Sequence, residues 1–165
     1  MTHIRSLLLA LAALLGLGLA GPAAADSGDE VDRQVVFHVD FADPDRFNLT
    51  LNNVRNMVKH YKEKLLDYDI RIVFLSQGVR YVTDEDMAGT PFETPDDFEE
   101  RRAEIRDRLQ TLSEVHDVKL ELCDRTRKAG ELAEDDLYAD VEVVPSGVAR
   151  VAELQRKGFQ YIKVQ

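Results

Sequence analysis

The chain is short of cysteine and of positive charge, and each shortage excludes something. Among its 165 residues there is one cysteine, Cys123. One cysteine excludes an internal disulfide framework, a cysteine-rich zinc site and an iron–sulfur cluster held by this chain alone. Lys and Arg number 21 against 31 Asp and Glu, a net charge of -10. Such a surface is repelled by phosphate backbones and anionic lipid, so nucleic acid is not an expected partner. Nucleotide motifs are missing as well. There is no G-x-G-x-x-G after the first strand-like run, no Walker A loop and no G-x-S-x-G elbow. The acidic runs Asp84-Glu85-Asp86 and Asp96 to Glu100 read as a solvated face without a paired general acid and base.

Long apolar runs are confined to the N-terminus. Arg5 precedes 13 uninterrupted apolar residues, Leu7 to Leu19, followed by Gly21-Pro22 and Ala23-Ala24-Ala25. A positive start, a short apolar centre and an A-x-A site predict a secretory signal at residues 1–25, cut after Ala25. The run is shorter than the roughly 20 residues a membrane span needs. No cysteine follows it, which excludes a lipoprotein anchor, and no twin-arginine pair precedes it. The expectation is a periplasmic protein with no membrane attachment once the signal is removed. Removing 25 of 165 residues leaves 140, and losing Arg5 takes the charge from -10 to -11. That length suits one domain. Residues 26–33 read as a flexible polar segment and residues 34–165 as the domain.

Strand-like and helix-like stretches alternate along the domain. Gln34–Phe41, Ile70–Leu75, Val118–Leu122, Val141–Val144 and Phe159–Val164 read as strands. A turn at Asp43-Pro44-Asp45 precedes a helix from about Asn48 to Leu66, with apolar positions Leu51, Val54, Val58, Tyr61 and Leu65. Gly78 to Thr94 has weak periodicity and reads as a binding loop or lid. Thr94 and Pro95 open the next helix as cap and first residue, and Phe98, Ile105, Leu109 and Leu112 form its apolar face. A short helix is expected near Gly130–Leu137, and another from Gly147 to Lys157, ended by Gly158. The alternation predicts an α/β fold, a parallel sheet with helices on both faces. Ligands of such sheets bind beyond the carboxyl ends of the strands.

Those ends carry His38, Gly78, Cys123 and the Ser146-Gly147 pair. Arg125, Arg127 and Lys128 lie near Cys123, and cations and helix N-termini favour a thiolate, while Asp124 opposes it. The alternative for Cys123 is a small buried residue closing its strand. His38 can accept a proton, orient a group, or simply bond a loop carbonyl. Gly78, Ser146 and Gly147 can present N–H groups to an anion, Ser146 also being a natural cap. His60 and His116 read as surface residues, and no metal site is expected.

Several stretches resemble one family: VVFHVD (35–40), LNNVRNM (51–57), FLSQGV (74–79), LELC (120–123) and VVPSGVARVAELQRKGFQYIKV (143–164). In order and spacing the chain resembles the DsrE/DsrF-like family, small sulfur-relay and sulfur-oxidation proteins. The resemblance implies a three-layer α/β/α fold of flavodoxin-like type with a five-stranded, mainly parallel sheet. It implies assembly as a homo-oligomer, trimer or hexamer, and the face of Phe98, Ile105 and Leu109 is a candidate for sharing between subunits. It implies a cysteine at the end of the third strand that carries sulfane sulfur as a persulfide, and Cys123 matches that position. Sulfur donor and acceptor proteins are the implied partners, and no cofactor is required. The charged Asp124-Arg125-Thr126-Arg127 stands where relatives often carry small neutral residues. The other class of function compatible with the sequence is a non-catalytic oligomeric module that binds a small ligand or partner at the same edge.

Overall fold

The computed structural model describes residues 33–165. The signal expected at residues 1–25, and residues 26–32, lie outside the described residues. Arg33, expected in a flexible segment, is the first residue of a strand.

Five strands form one sheet: β1 (Arg33–Val39), β2 (Tyr68–Phe74), β3 (Lys119–Cys123), β4 (Val141–Val144) and β5 (Gln160–Ile162). Their order is β4-β3-β2-β1-β5 and all neighbours pair in parallel. Four helices connect them: α1 (Pro44–Glu63), α2 (Asp96–Glu114), α3 (Asp124–Ala129) and α4 (Gly147–Arg156). The chain steps outward from β1 to β4 and then returns past β1 to β5. Parallel crossovers share one hand, so outward steps put their helices on one face and the returning step puts its helix on the other. α1 and α2 accordingly share one core with Val35, Phe37 and Val39 of β1, Ile70, Ile72 and Phe74 of β2, and Leu120 and Leu122 of β3. α4 lies on the other face, where Val151 and Leu154 pack on Val36, Val73, Leu75, Cys123 and Phe159. Successive strand side chains point to opposite faces, which is why neighbours such as Leu122 and Cys123 belong to different cores. No helix among the described residues is long and apolar enough to cross a membrane.

Several element boundaries differ from the sequence reading. Asp43 is the N-cap of α1, its Oδ1 accepting the N–H groups of Asp45 at 2.9 Å and Arg46 at 3.2 Å, and Pro44 opens the helix. The expected turn is therefore a helix start. Leu65 is not on the apolar face: the helix ends at Glu63, and Leu65 has φ 55° and is 92% exposed. The segment read as a lid begins as a 3-10 turn, Ser76–Tyr81, whose Val79 and Tyr81 are buried core. Tyr81 stacks on Phe47, with ring centroids 3.9 Å apart. Thr94 does not cap α2; Pro95 holds that position, and the Thr94 hydroxyl instead accepts from the buried Arg102 at 3.2 Å. In place of the short helix expected near Gly130–Leu137 there is a 3-10 turn, Glu134–Asp136; the short helix is α3, which comes before it and ends at Gly130. Phe98, Ile105 and Leu109 are buried inside the chain's own core, so they are not an open face to share.

Candidate functional site

Cys123 is the last residue of β3 and the N-cap of α3. Its side chain belongs to the thinner core, under the start of α4. It is 5% exposed and forms the base of an open cleft of about 470 Å³. Leu75, Phe92, Ala129 and Val148 supply the apolar walls, and Ser76, Thr126, Ser146 and Arg125 the polar ones. Among the described residues no carboxylate lines this cleft.

Two opposing effects set the thiol pKa. Burial alone pushes the thiol pKa up. Against it, the backbone N–H groups of Gly147, Thr126 and Arg125 and the Thr126 hydroxyl all act on the sulfur. The balance falls below the ordinary thiol value, favouring thiolate. These donors come from two helix starts, α3 and α4, whose leading N–H groups have no partner within the helix. Thr126 is fixed in turn, because its Oγ1 accepts the N–H of Ser76 at 3.0 Å.

Charges nearby are sorted by pairing. Asp124 is held by Arg127 at 2.7 Å and Lys128 at 2.6 Å, so its charge is balanced and neither cation serves the thiol. Arg125 is exposed and lines the cleft. Gly147 is required sterically as well as electrically, since a Cβ there would lie 2.6 Å from Cγ of Leu75. Ser146 caps α4, its hydroxyl accepting the N–H of Ala149 at 3.4 Å.

Two sequence candidates do not join the site. Gly78 donates its N–H to the carbonyl of Leu75 at 2.8 Å, and a Cβ there would lie 2.2 Å from the carbonyl oxygen of Val39. It is a close-packing glycine, not an anion donor. His38 pairs across the sheet with Val73, which pairs with Glu121. It thus stands two strands away from Cys123 and two residues short of its level. Its Nδ1 lies 3.3 Å from the Tyr161 hydroxyl and its Nε2 3.9 Å from Asp40. It does not orient the thiol. Among the described residues no group of three His, Cys, Asp or Glu is placed to hold a metal ion.

Thr126 is the site residue that sequence reasoning missed. Its signal was spacing: a hydroxyl three residues after a strand-end residue that caps a helix, where the side chain reaches back.

The model of the DsrE/DsrF-like family matches residues 34–164, from β1 to beyond β5. The chain belongs to the DsrE/DsrF-like family. As a DsrE/DsrF-like protein it falls in a family of sulfur-relay type. Its fold is similar to that of MTH1491, a protein of unknown function from Methanobacterium thermoautotrophicum, with a TM-score of 0.61 and 28% identity. That likeness covers 80% of this chain and 99% of the other. A protein of Aquifex aeolicus (strain VF5), described only as uncharacterized, is 27% identical over 130 residues, which are 78% of this chain and 55% of that one. The DsrE/DsrF-like chain thus spans little more than half the length of this relative.

Proposed function

We propose that this protein is a periplasmic sulfur-trafficking protein that carries sulfane sulfur as a persulfide on Cys123. The observation that carries the reading is the place of Cys123, last in β3 and N-cap of α3, at the base of an open cleft beside the starts of α3 and α4, where backbone N–H groups and the Thr126 hydroxyl lower its thiol pKa. The export signal read at residues 1–25 supports the compartment, and the family supports assembly as a trimer or hexamer with sulfur donor and acceptor proteins as partners.

The chemistry is sulfur–sulfur exchange. The Cys123 thiolate attacks the outer sulfur of a donor persulfide. A new S–S bond forms at Cys123 while the donor's S–S bond breaks, and the electron pair leaves on the donor thiolate. An acceptor thiolate then repeats the step on the outer sulfur of the Cys123 persulfide. Neither transfer changes the overall oxidation state, so no cofactor takes part. The same N–H groups that hold the thiolate before attack hold it again as the leaving group.

Mass spectrometry of the native chain after incubation with polysulfide tests this. Cys123 gains the mass of one or more sulfur atoms, removed by a reducing agent, and Cys123→Ser gains none. Arg125→Ala slows loading severalfold, since a partly exposed charge contributes roughly 1 kcal/mol or less. If wild-type protein takes up no sulfur where an established persulfide carrier does, the binding-module reading replaces this one.

A further inference from the structure

A second cleft lies at the other end of the molecule. α1 and α2 follow their strands back across the sheet, so their C-terminal halves lie at the amino edge of the strands, away from Cys123. Between these halves is a cavity of about 220 Å³ lined by Leu51, Arg55, Arg108, Leu112 and His116. Through Arg55 and His116 it continues into a neighbouring hollow bordered by Lys59 and Lys62.

The charge here opposes that of the protein. Four Lys and Arg side chains and one His converge on the cleft, in a chain of net charge -10. Glu63 borders the hollow, 3.8 Å from Lys59, and Glu104 lies 3.6 Å from Arg108. Arg108 is held more closely by neutral oxygens: Nη1 donates to Oδ1 of Asn48 at 2.7 Å, and Nη2 to Oδ1 of Asn52 at 2.9 Å. Two amide oxygens fix the guanidinium in place, and Glu104, exposed to solvent, is its longer ion pair at 3.6 Å. Lys62 Nζ donates to Nδ1 of His116 at 3.0 Å, again a cation resting on a neutral group. A helix macrodipole accounts for cations only within the last turn. Lys62 fits that account, but Arg55 and Arg108 lie well before the ends of α1 and α2. The floor of the cleft is apolar, formed by the buried Leu51 and Leu112.

We propose that the cleft between α1 and α2 binds a small organic phosphate, its phosphate between Arg55 and Arg108 and its apolar part over Leu51 and Leu112. Guanidinium groups present paired donors that match phosphate oxygens. Two such groups, with Lys59 and Lys62 in the adjoining hollow, outnumber Glu63 and Glu104 and suit a dianion better than a monoanion.

Isothermal titration calorimetry of the full chain with phenyl phosphate tests the proposal. Phenol, benzoate and inorganic phosphate serve as comparisons. Phenyl phosphate should bind saturably, one per chain, about tenfold or more tighter than each of the three. Arg55→Gln, at an exposed residue, should weaken it roughly threefold to tenfold, and Arg108→Gln by at least as much. Cys123→Ser should bind as wild type does, which separates this site from the persulfide chemistry. Heats that do not saturate, an Arg55→Gln affinity equal to wild type, or benzoate or phenol binding as tightly as phenyl phosphate would each overturn it. Equal affinity for inorganic phosphate would overturn the role of the apolar floor and with it the ligand class.

Discussion

Gly147 and Leu75 are packed so closely that a Cβ on the glycine would lie 2.6 Å from Cγ and 2.8 Å from Cδ2 of the leucine. The Gly147 N–H acts on the Cys123 sulfur, and Leu75 walls the cleft above it. One contact thus sets both the height of α4 over the sheet and the reach of a donor to the thiol. Gly147→Ala must push α4 or Leu75 aside. Overpacking of this kind costs about 1–3 kcal/mol. It also lengthens the hydrogen bond to sulfur, so the thiol pKa rises toward its ordinary value. The expected outcome is a lower thermal midpoint and a thiol alkylation profile displaced to higher pH, measured with iodoacetamide across a pH series.

The Thr126 hydroxyl has two tasks, accepting the N–H of Ser76 at 3.0 Å and holding the Cys123 thiol pKa down. It is 7% exposed. Thr126→Val keeps the shape and removes both. The Ser76 N–H then lacks its buried partner, costing about 1–3 kcal/mol. The thiolate loses a donor, so alkylation at neutral pH slows. Thr126→Ser should restore both stability and rate, which distinguishes loss of the hydroxyl from loss of packing. Denaturant unfolding and alkylation rates of the two variants check this.

Much of the fold is legible in the sequence, for physical reasons that also mark where reading stops. Val141–Val144 and the face of Phe98, Ile105, Leu109 and Leu112 stand out because burial on one side leaves a period. The segment from Ser76 to Tyr81 leaves none, since a single 3-10 turn is too short to repeat, although Val79 and Tyr81 are core. Asp43-Pro44 is ambiguous because the same two residues suit a turn and a helix start. The site is half legible. Cys123 at a strand end, with a helix start behind it, follows from local pattern. The separation of His38 from Cys123 does not, because sequence shows that strands share an edge without showing their order. Leu75 meets the thiol only through the packing of α4 on the sheet, whereas Thr126 is near it by its spacing from Cys123 in the first turn of α3.

Leu65 shows what is gained when a local conflict is removed. It follows α1 with φ 55°, and its N–H bonds to the carbonyl of Lys62 at 3.1 Å while Leu66 bonds to that of Tyr61 at 3.1 Å. This is a left-handed helix terminus, normally occupied by glycine. The side chain is 92% exposed, so no packing offsets the strain. Leu65→Gly should raise stability by about 0.5–1 kcal/mol, seen as a higher denaturant midpoint at unchanged slope.

Glu121 is the only carboxylate of β3 and is 0% exposed on the α4 face of the sheet. Its carboxylate accepts from Arg71 Nη1 at 2.8 Å, Arg150 Nε at 2.6 Å and Arg150 Nη2 at 2.8 Å. Arg71 is shared with Asp69 at 2.7 Å, so the network ties β2, β3 and α4 together. Burial raises the Glu121 pKa, but the two guanidinium groups outweigh it and hold the carboxyl below the ordinary carboxylate value. The unfolded chain therefore binds the proton more readily than the folded one. Stability from this group is fully present above the ordinary carboxylate value, about 4.3, and is lost as pH falls through the lower folded value. Glu121→Gln leaves the half-buried Arg150 without its charge partner and Arg71 with Asp69 alone, and should cost about 3 kcal/mol at neutral pH. The cost should shrink in acid, where wild-type Glu121 also loses its charge. Unfolding curves of both proteins from neutral pH downward should therefore converge, and a gap that stays constant with pH would show that packing alone explains the loss.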